Sequence, residues 1–328
     1  MKQAYITTTL RLVPPSCKTK KKKENTSENL ARIEKNQKIK KIVGLVFVYA
    51  FLVFFTLIVL FPFYYMIVAS FMTQQEAYQG ALFPELSSVF ENIAYNYSNT
   101  FERLDFMSHV GTTLIVAVAT TILQLLTTIL AAYAFARLEF RGRDVLFIFF
   151  LTTMMVPGEL LAIANYTTMA NLGFINKSQT YGEALFVMIV PLIASSFYIY
   201  LLRQNFKQIP NELYLASKVD GKSDWTFLWK VMAPLSSPTL ITIAILSFIS
   251  SWNSYVWPNR SVTKPEFQVI SVIIRTGSLT VQDEMGNWVT MLPWQMTASV
   301  LTVVPLLLLF IIFRKYIMSG TGRSGIKG

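Results

Sequence analysis

The sequence has a single cysteine, Cys17, and a single histidine, His109, among 328 residues. One cysteine excludes an intrachain disulfide framework and a cysteine metal cluster. One histidine excludes the paired-histidine zinc site of HExxH hydrolases. Charge is scarce: 14% of residues are Asp, Glu, Lys or Arg, where a soluble domain carries about 25%. Acidic side chains are the scarcer sign, 18 against 29 basic ones, which leaves a formal net charge of +11. Low hydrophobicity, which disorder requires, is absent from most of the chain. What is abundant is apolar surface: 53% of residues, including 25 Phe, 15 Tyr and 6 Trp. This balance argues against an ordinary soluble enzyme.

Apolar runs of about 18 or more residues, nearly free of charge, read as membrane-spanning helices. Six occur, at about 42–71, 110–136, 145–169, 184–202, 234–257 and 295–313. The first is too long, and too far from Met1, for a cleaved signal peptide. Basic residues orient the set. Residues 1–41, the segments between spans two and three and between four and five, and the tail together hold 24 of the 29 Lys and Arg. The positive-inside rule places that side, and both termini, in the cytoplasm. Topology therefore accounts for the positive charge, and no nucleic-acid partner is needed.

The expected fold class is all-α, a polytopic membrane protein with six transmembrane helices. A basic arm over residues 1–41, with Lys20 to Lys23 and Pro14-Pro15, is expected to be disordered. The membrane domain would cover 42–316, with an inner loop over 203–233, and a short tail would cover 317–328. Pro62, Pro157, Pro191, Pro238 and Pro305 fall in five of the six spans, where each removes a backbone donor and kinks the helix. No repeat relates the first three spans to the last three, which argues against a secondary transporter built from two halves.

The inner loop carries the most informative sequence. Pro210 can open a helix over about 211–219, and Gly221 can close it in the left-handed conformation. Ala216 and Ser217 give that helix a face of short side chains. The same stretch mimics a phosphate-binding loop at Ala216 to Ser223. A genuine one follows a buried strand within an α/β domain, and here it follows a short helix.

PNELYLASKVDG followed by VMAP resembles the "EAA" loop of binding-protein-dependent ABC importer permeases. Its pattern is P-x-E-L-x-E-A-A-x-x-D-G, then a hydrophobic-x-x-Pro. Pro210, Glu212, Leu213, Ala216, Asp220, Gly221, Val231 and Pro234 fall on it. Three further stretches resemble the carbohydrate-uptake branch: AAYAFARLEFRGR at 131–143, MMVPGE at 154–159 and SWNSYVWP at 251–258. The tail ending in Ile326-Lys327-Gly328 is also similar. The resemblance covers about 42–328. It departs at Leu215, where the family has glutamate, and at Ser217, where it has alanine.

The resemblance implies an importer permease in a bacterial-type plasma membrane. Its partners would be a second permease, two copies of an ATPase subunit and an extracellular solute-binding protein. ATP and magnesium would be bound by the ATPase, so this chain is expected to be no enzyme and to hold no cofactor. Glu212, Leu215, Ala216, Ser217, Asp220 and Gly221 become the candidate ATPase-coupling residues. Polar groups on the spans, Glu159, Asn165, Tyr166, Ser250, Trp252 and Asn253, are candidates for the solute pathway, as intramembrane polar groups generally are. The expected solute is a sugar or oligosaccharide, with glycerol 3-phosphate or another polar solute as the alternative. A stand-alone ion-coupled transporter would show paired ionisable groups in mid-span, and a membrane enzyme would need a catalytic cluster. His109 at a span boundary supplies neither.

Overall fold

A computed structural model describes the backbone of residues 18–276, 279–282 and 285–321; the side chains of 18–37, 159 and 315–321 lie outside the described residues. The chain divides into two units, Met1–Tyr64 and Tyr65–Gly328. The first unit is helical from Lys18, the start of α1 (Lys18–Ala69). Residues 18–41 thus belong to a helix, where the composition leads one to expect an arm without regular structure. Lys, Glu, Gln, Leu and Ala dominate there, and all are strong helix formers. From 38 to 64 every residue is exposed, and most are large and apolar.

The second unit opens with α2 (Gln74–Tyr78) and α3 (Val89–Arg103). Thr73 and Glu76 cap α2 reciprocally, each side chain bonding the other's backbone. Buried Asn96 donates to the carbonyls of Ser70 and Met72 at 3.0 and 2.9 Å, which fixes α3 to the end of α1. The long helix α4 (Phe106–Arg137) follows. Two bent pairs come next, α5 (Arg143–Thr152) with α6 (Gly158–Asn171) and α7 (Tyr181–Ile189) with α8 (Ser196–Gln208). Between α8 and the next span lie α9 (Asn211–Val219) and α10 (Asp224–Phe227), then a π-helical stretch over Leu228–Met232 and the single turn α11 (Ala233–Leu235). The span α12 (Ser237–Trp252), the short α13 (Val256–Ser261) and α14 (Ile270–Ile273), and the last span α15 (Leu292–Thr321) complete the helices.

Three helical stretches are long and apolar enough to cross a membrane: Lys38–Ala69, Phe106–Arg137 and Leu292–Arg314. Three bent pairs pass the same test together, at angles of 104°, 49° and 80°. The six apolar runs are thus all helical, three of them broken. Proline alone does not decide where. Pro62 and Pro305 lie inside continuous helices. The breaks fall where Pro157 meets Gly158, and where Ser195 and Ser236 precede the new helix. At the second break the Ser195 hydroxyl accepts from the Tyr198 amide and starts α8.

α4 is the axis of the second unit. Ile129, Ala132 and Tyr133 pack with Ile199, Leu202 and Phe206 of α8, with Phe227, Leu228 and Met232, and with Ile243 of α12. Nearer its start, Val116 packs with Ala184, Met188 and Val272. An antiparallel ribbon of β1 (Thr280–Gln282) and β2 (Trp288–Thr290) precedes α15, pairing Val281 with Val289. It is a local addition to an otherwise helical fold. Gln74 fixes its base, donating to the Thr290 carbonyl at 2.8 Å and accepting from the Leu292 amide at 3.0 Å.

Candidate functional site

Two places in the second unit concentrate polar chemistry. The first is a cavity of about 560 Å³ bounded by α4, α6, α8, α12 and the break before α8. Thr120 and Gln124 face it from α4, Asn165 from α6, and Ser247, Ser250 and Ser251 from α12. Among the described lining residues none is charged. Gln124 bridges two walls, accepting from the Ser247 hydroxyl at 2.5 Å and donating to the Leu192 carbonyl at 2.8 Å. The Thr127 hydroxyl bonds the Ile193 carbonyl. These carbonyls lie at the interruption between α7 and α8. Neighbouring side chains thus re-satisfy backbone groups that a broken span leaves unpaired. The Thr120 and Ser251 hydroxyls are buried in the lining without a hydrogen-bond partner among the described atoms.

Of the six pathway candidates that the sequence suggests, Asn165 and Ser250 line this cavity together. Glu159 stands in the first turn of α6, and its side chain lies outside the described residues. Tyr166 is exposed on α6 and does not line the cavity. Trp252 is buried, its indole N–H donating to the Thr302 carbonyl of α15 at 3.3 Å. Asn253 donates to the Ile249 carbonyl at 3.0 Å and so closes the end of α12. Thr120, Gln124 and Thr127 are not among the candidates that the sequence suggests. With His109 and Thr113 they recur at i, i+4, i+11, i+15 and i+18, one face of a helix with 3.6 residues per turn. That stripe is the available signal within a span that also carries Thr112, Thr121 and Thr128 off it. Its first member is buried too: the His109 Nδ1–H donates to the Gln268 carbonyl at 2.8 Å, which fixes the tautomer.

The second place is the loop between α8 and α12. α9 covers the span expected for the loop helix, and Gly221 follows it at φ +69°. The Lys222 amide bonds the Ser217 carbonyl at 2.9 Å and the Gly221 amide bonds that of Lys218 at 3.0 Å, the paired bonds of a Schellman cap. Leu215 and Glu212 are exposed on α9, Ala216 is exposed as well, and Ser217 is half-buried with its hydroxyl on the Tyr214 carbonyl. Asp220 and Gly221 are exposed. The exposed apolar side chains Leu213, Leu215, Val219 and Trp225 stand around them.

Two anchors outside the sequence candidates hold α9. Arg137, at the end of α4, donates to Asn211 Oδ1 at 3.1 Å and to the carbonyls of Phe206 and Ile209. Asp224 is the other. Its Oδ1 accepts from the hydroxyls of Tyr133 and Tyr214, both at 2.9 Å, and its Oδ2 from Lys218 Nζ at 2.8 Å. The hydrogen bond to Asp224 raises the Lys218 ammonium pKa above the usual lysine value. Asp224 lies outside the family loop pattern, so no motif points to it. No group of three or more metal-ligand side chains occurs among the described residues.

Bent spans around a polar cavity, with a capped helix slung between two of them, define a polytopic transport permease. Comparison with known proteins agrees. Residues 124–321 match the binding-protein-dependent transport system inner membrane component family. The chain is 31% identical to the trehalose/maltose transport system permease protein MalG of Thermococcus litoralis, over 83% of this chain and 93% of that one. It is 28% identical to the arabinooligosaccharides transport system permease protein AraQ of Halalkalibacterium halodurans, over 84% and 94%. It is 25% identical to the sn-glycerol-3-phosphate transport system permease protein UgpE of Yersinia pestis, over 84% and 95%. A chain from the crystal structure of a bacterial ABC transporter involved in the import of the acidic polysaccharide alginate superposes with a TM-score of 0.71 at 25% identity, covering 84% of this chain and 96% of that one. The chain belongs to the family of binding-protein-dependent transport system inner membrane components. It is a membrane permease of ABC importer type, a transport subunit rather than an enzyme.

Proposed function

We propose that this chain forms, with a second permease, the pathway by which an ATP-driven importer takes up a neutral sugar or oligosaccharide. The observation that carries the solute class is the cavity beside α4. Its described lining offers hydroxyls and amides, which match a polyhydroxyl solute, and no cation to neutralise a phosphate. Ser250 and Asn165 present such polar groups at the accessible wall of the cavity. The relatives named for trehalose/maltose and arabinooligosaccharides support the same class; the one named for sn-glycerol-3-phosphate keeps that solute as the alternative to test.

In this reading both termini and the α9 loop face the cytoplasm, in line with the distribution of Lys and Arg. Two ATPase subunits supply ATP and magnesium binding, and this chain holds no cofactor. An extracellular solute-binding protein delivers the solute. One ATPase docks on α9 around Glu212, Leu215, Ala216, Ser217, Asp220 and Gly221. Since Leu215 replaces a glutamate there, docking relies on apolar contact and shape. ATP shifts the balance of inward- and outward-facing states only if its binding energy reaches the spans differentially. α9 is the element placed to transmit it.

The test is to purify the chain from its native membrane under mild detergent and assay ATP hydrolysis by what accompanies it. The expected result is a co-purifying ATPase and second membrane subunit, with hydrolysis stimulated by neutral oligosaccharides in the presence of the binding protein. Stimulation by glycerol 3-phosphate alone would overturn the solute class. Recovery of the folded chain without any ATPase would overturn the importer reading itself.

A further inference from the structure

Asp224 sits at the first position of α10, outside the loop pattern, yet its carboxylate gathers three donors from two other elements. Tyr133 reaches it from α4, and Tyr214 and Lys218 reach it from α9. Lys218 and Tyr214 are one helical turn apart, so both grip the same face of α9. At the other end of α9, Arg137 holds Asn211. Tyr133 and Arg137 are themselves one turn apart on α4. The short helix is therefore fastened to α4 at both of its ends. A nine-residue helix alone in water is marginal. α9 has no fully buried residue; Tyr214 packs on Phe227 with ring centroids 5.3 Å apart, and these polar ties add to that apolar contact in setting its position.

α4 is the helix that carries Thr120 and Gln124 into the cavity about three turns away. A load applied to α9 passes to that wall only if α9 and α4 move as one body. We propose that Asp224 is the positioning residue that makes them one body, a three-donor clamp coupling the loop helix to the helix that lines the pathway. The inference rests on the reading of this chain as an ATP-driven permease, since that reading supplies the load. Charge-assisted hydrogen bonds are the strong ones, and three converging on one carboxylate leave it little freedom to turn. Severing Asp224 frees one end of α9 and leaves the Arg137 tie as a pivot.

The test uses the assembled complex in lipid nanodiscs, in a Cys17→Ser background, with spin labels at Leu130 on α4 and Val219 on α9, both exposed. Distances are measured with and without ATP and magnesium. The parent and Asp224→Glu are expected to give a narrow distribution whose width ATP leaves unchanged. Asp224→Ala should broaden it, and Tyr133→Phe, which removes a single hydroxyl, should broaden it less. In the same variants ATP hydrolysis without solute should rise on the order of tenfold for Asp224→Ala, the factor one charged hydrogen bond contributes to an equilibrium. ATPase recovery should stay at the parent level.

An unchanged width in Asp224→Ala overturns the clamp. A broadened width with unchanged hydrolysis overturns its coupling role. If no ATPase accompanies the parent protein, the permease reading fails instead, and the width measured on the chain alone still decides whether Asp224 holds the two helices together.

Discussion

Replacing Gly221 tests the α9 cap by a route that separates backbone strain from crowding. Its φ is +69°, and a Cβ built there meets no atom within 4 Å. Any cost of a larger residue is therefore conformational. Left-handed geometry costs an ordinary L-residue about 1–2 kcal/mol, while asparagine adopts it readily. A β-branched residue at such a position costs more, up to about 3 kcal/mol. Since 1.4 kcal/mol is about a factor of ten, Gly221→Ala should speed opening of the last turn of α9 by roughly five- to thirtyfold. Gly221→Val should exceed that, and Gly221→Asn should stay within a few-fold of the parent. Hydrogen–deuterium exchange of the amides of Asp220, Gly221's replacement and Lys222, whose bonds close the cap, reads this directly. Exchange in α4 and α12 should not change, because the cap touches neither. Equal exchange in the Ala, Asn and Val variants would refute the argument from φ. If Asn behaved as badly as Val only in the assembled complex, steric exclusion by a docked partner would be the cause.

Gln124→Leu keeps the volume and leaves the Leu192 carbonyl and the Ser247 hydroxyl unpaired. A cost of about 1–3 kcal/mol per orphaned group would be the rule in water-free surroundings, and the smaller figure applies if cavity water reaches them, so thermal melting of the purified complex should fall by a few degrees. Ser251→Ala removes a buried hydroxyl that has no partner, so the melting temperature should stay at or slightly above the parent value, while Ser250→Ala, which removes an exposed lining hydroxyl, should weaken solute-stimulated hydrolysis. The Lys218–Asp224 pair has the lysine pKa raised and the aspartate pKa lowered, so its contribution is complete between the two unfolded values; it disappears in alkali as pH climbs through the folded lysine value and in acid as pH falls through the folded aspartate value. The α9–α4 distance distribution should accordingly stay constant between about pH 6 and 9 and broaden in strong alkali or in acid strong enough to protonate Asp224.

The features legible in the sequence are those that depend on neighbours along the chain. The six apolar runs, the helix over Asn211–Val219 and its glycine stop follow from composition, a proline and a glycine, and the structure has each of them. The false phosphate loop is also legible. Ala216 to Val219 close a helix, and the turn at Asp220 to Lys222 follows no strand. The bends are half legible. Every interrupted span is marked by a proline, yet Pro62 and Pro305 sit in unbroken helices. Gln124 and Thr127 satisfy the carbonyls of Leu192 and Ile193 from another helix, and a local pattern cannot show that. The short ribbon escapes notice because its strands, Thr280–Gln282 and Trp288–Thr290, are too short to display alternation. Asp224 is hidden for the same reason as Gln124: its partners are 91, 10 and 6 residues away, and only folding brings them together.

The polar groups of α4 also explain how a span with so many hydroxyls stays in a membrane fold. Polar atoms away from water must be paired or hydrated. Three of its six threonines are paired within the helix: Thr113 donates to the His109 carbonyl at 2.6 Å, Thr121 to that of Ala117 at 2.7 Å and Thr127 to that of Gln124 at 3.0 Å, while Thr128, like Thr120, has no partner among the described atoms. Thr113 also accepts from the Ile270 amide at 2.9 Å, so one hydroxyl serves its own helix and a neighbouring loop. Thr120 does neither, and it is the α4 threonine that faces the cavity. A space of about 560 Å³ has ample room for water molecules of about 30 Å³ each. Ser250, exposed, and Asn165, half-buried, are lining groups that water or a solute hydroxyl can reach, whereas the Thr120 and Ser251 hydroxyls are closed off from both. An anion would have to give up hydration here with no cation among the described lining residues to compensate, which is the physical ground for the neutral solute proposed above.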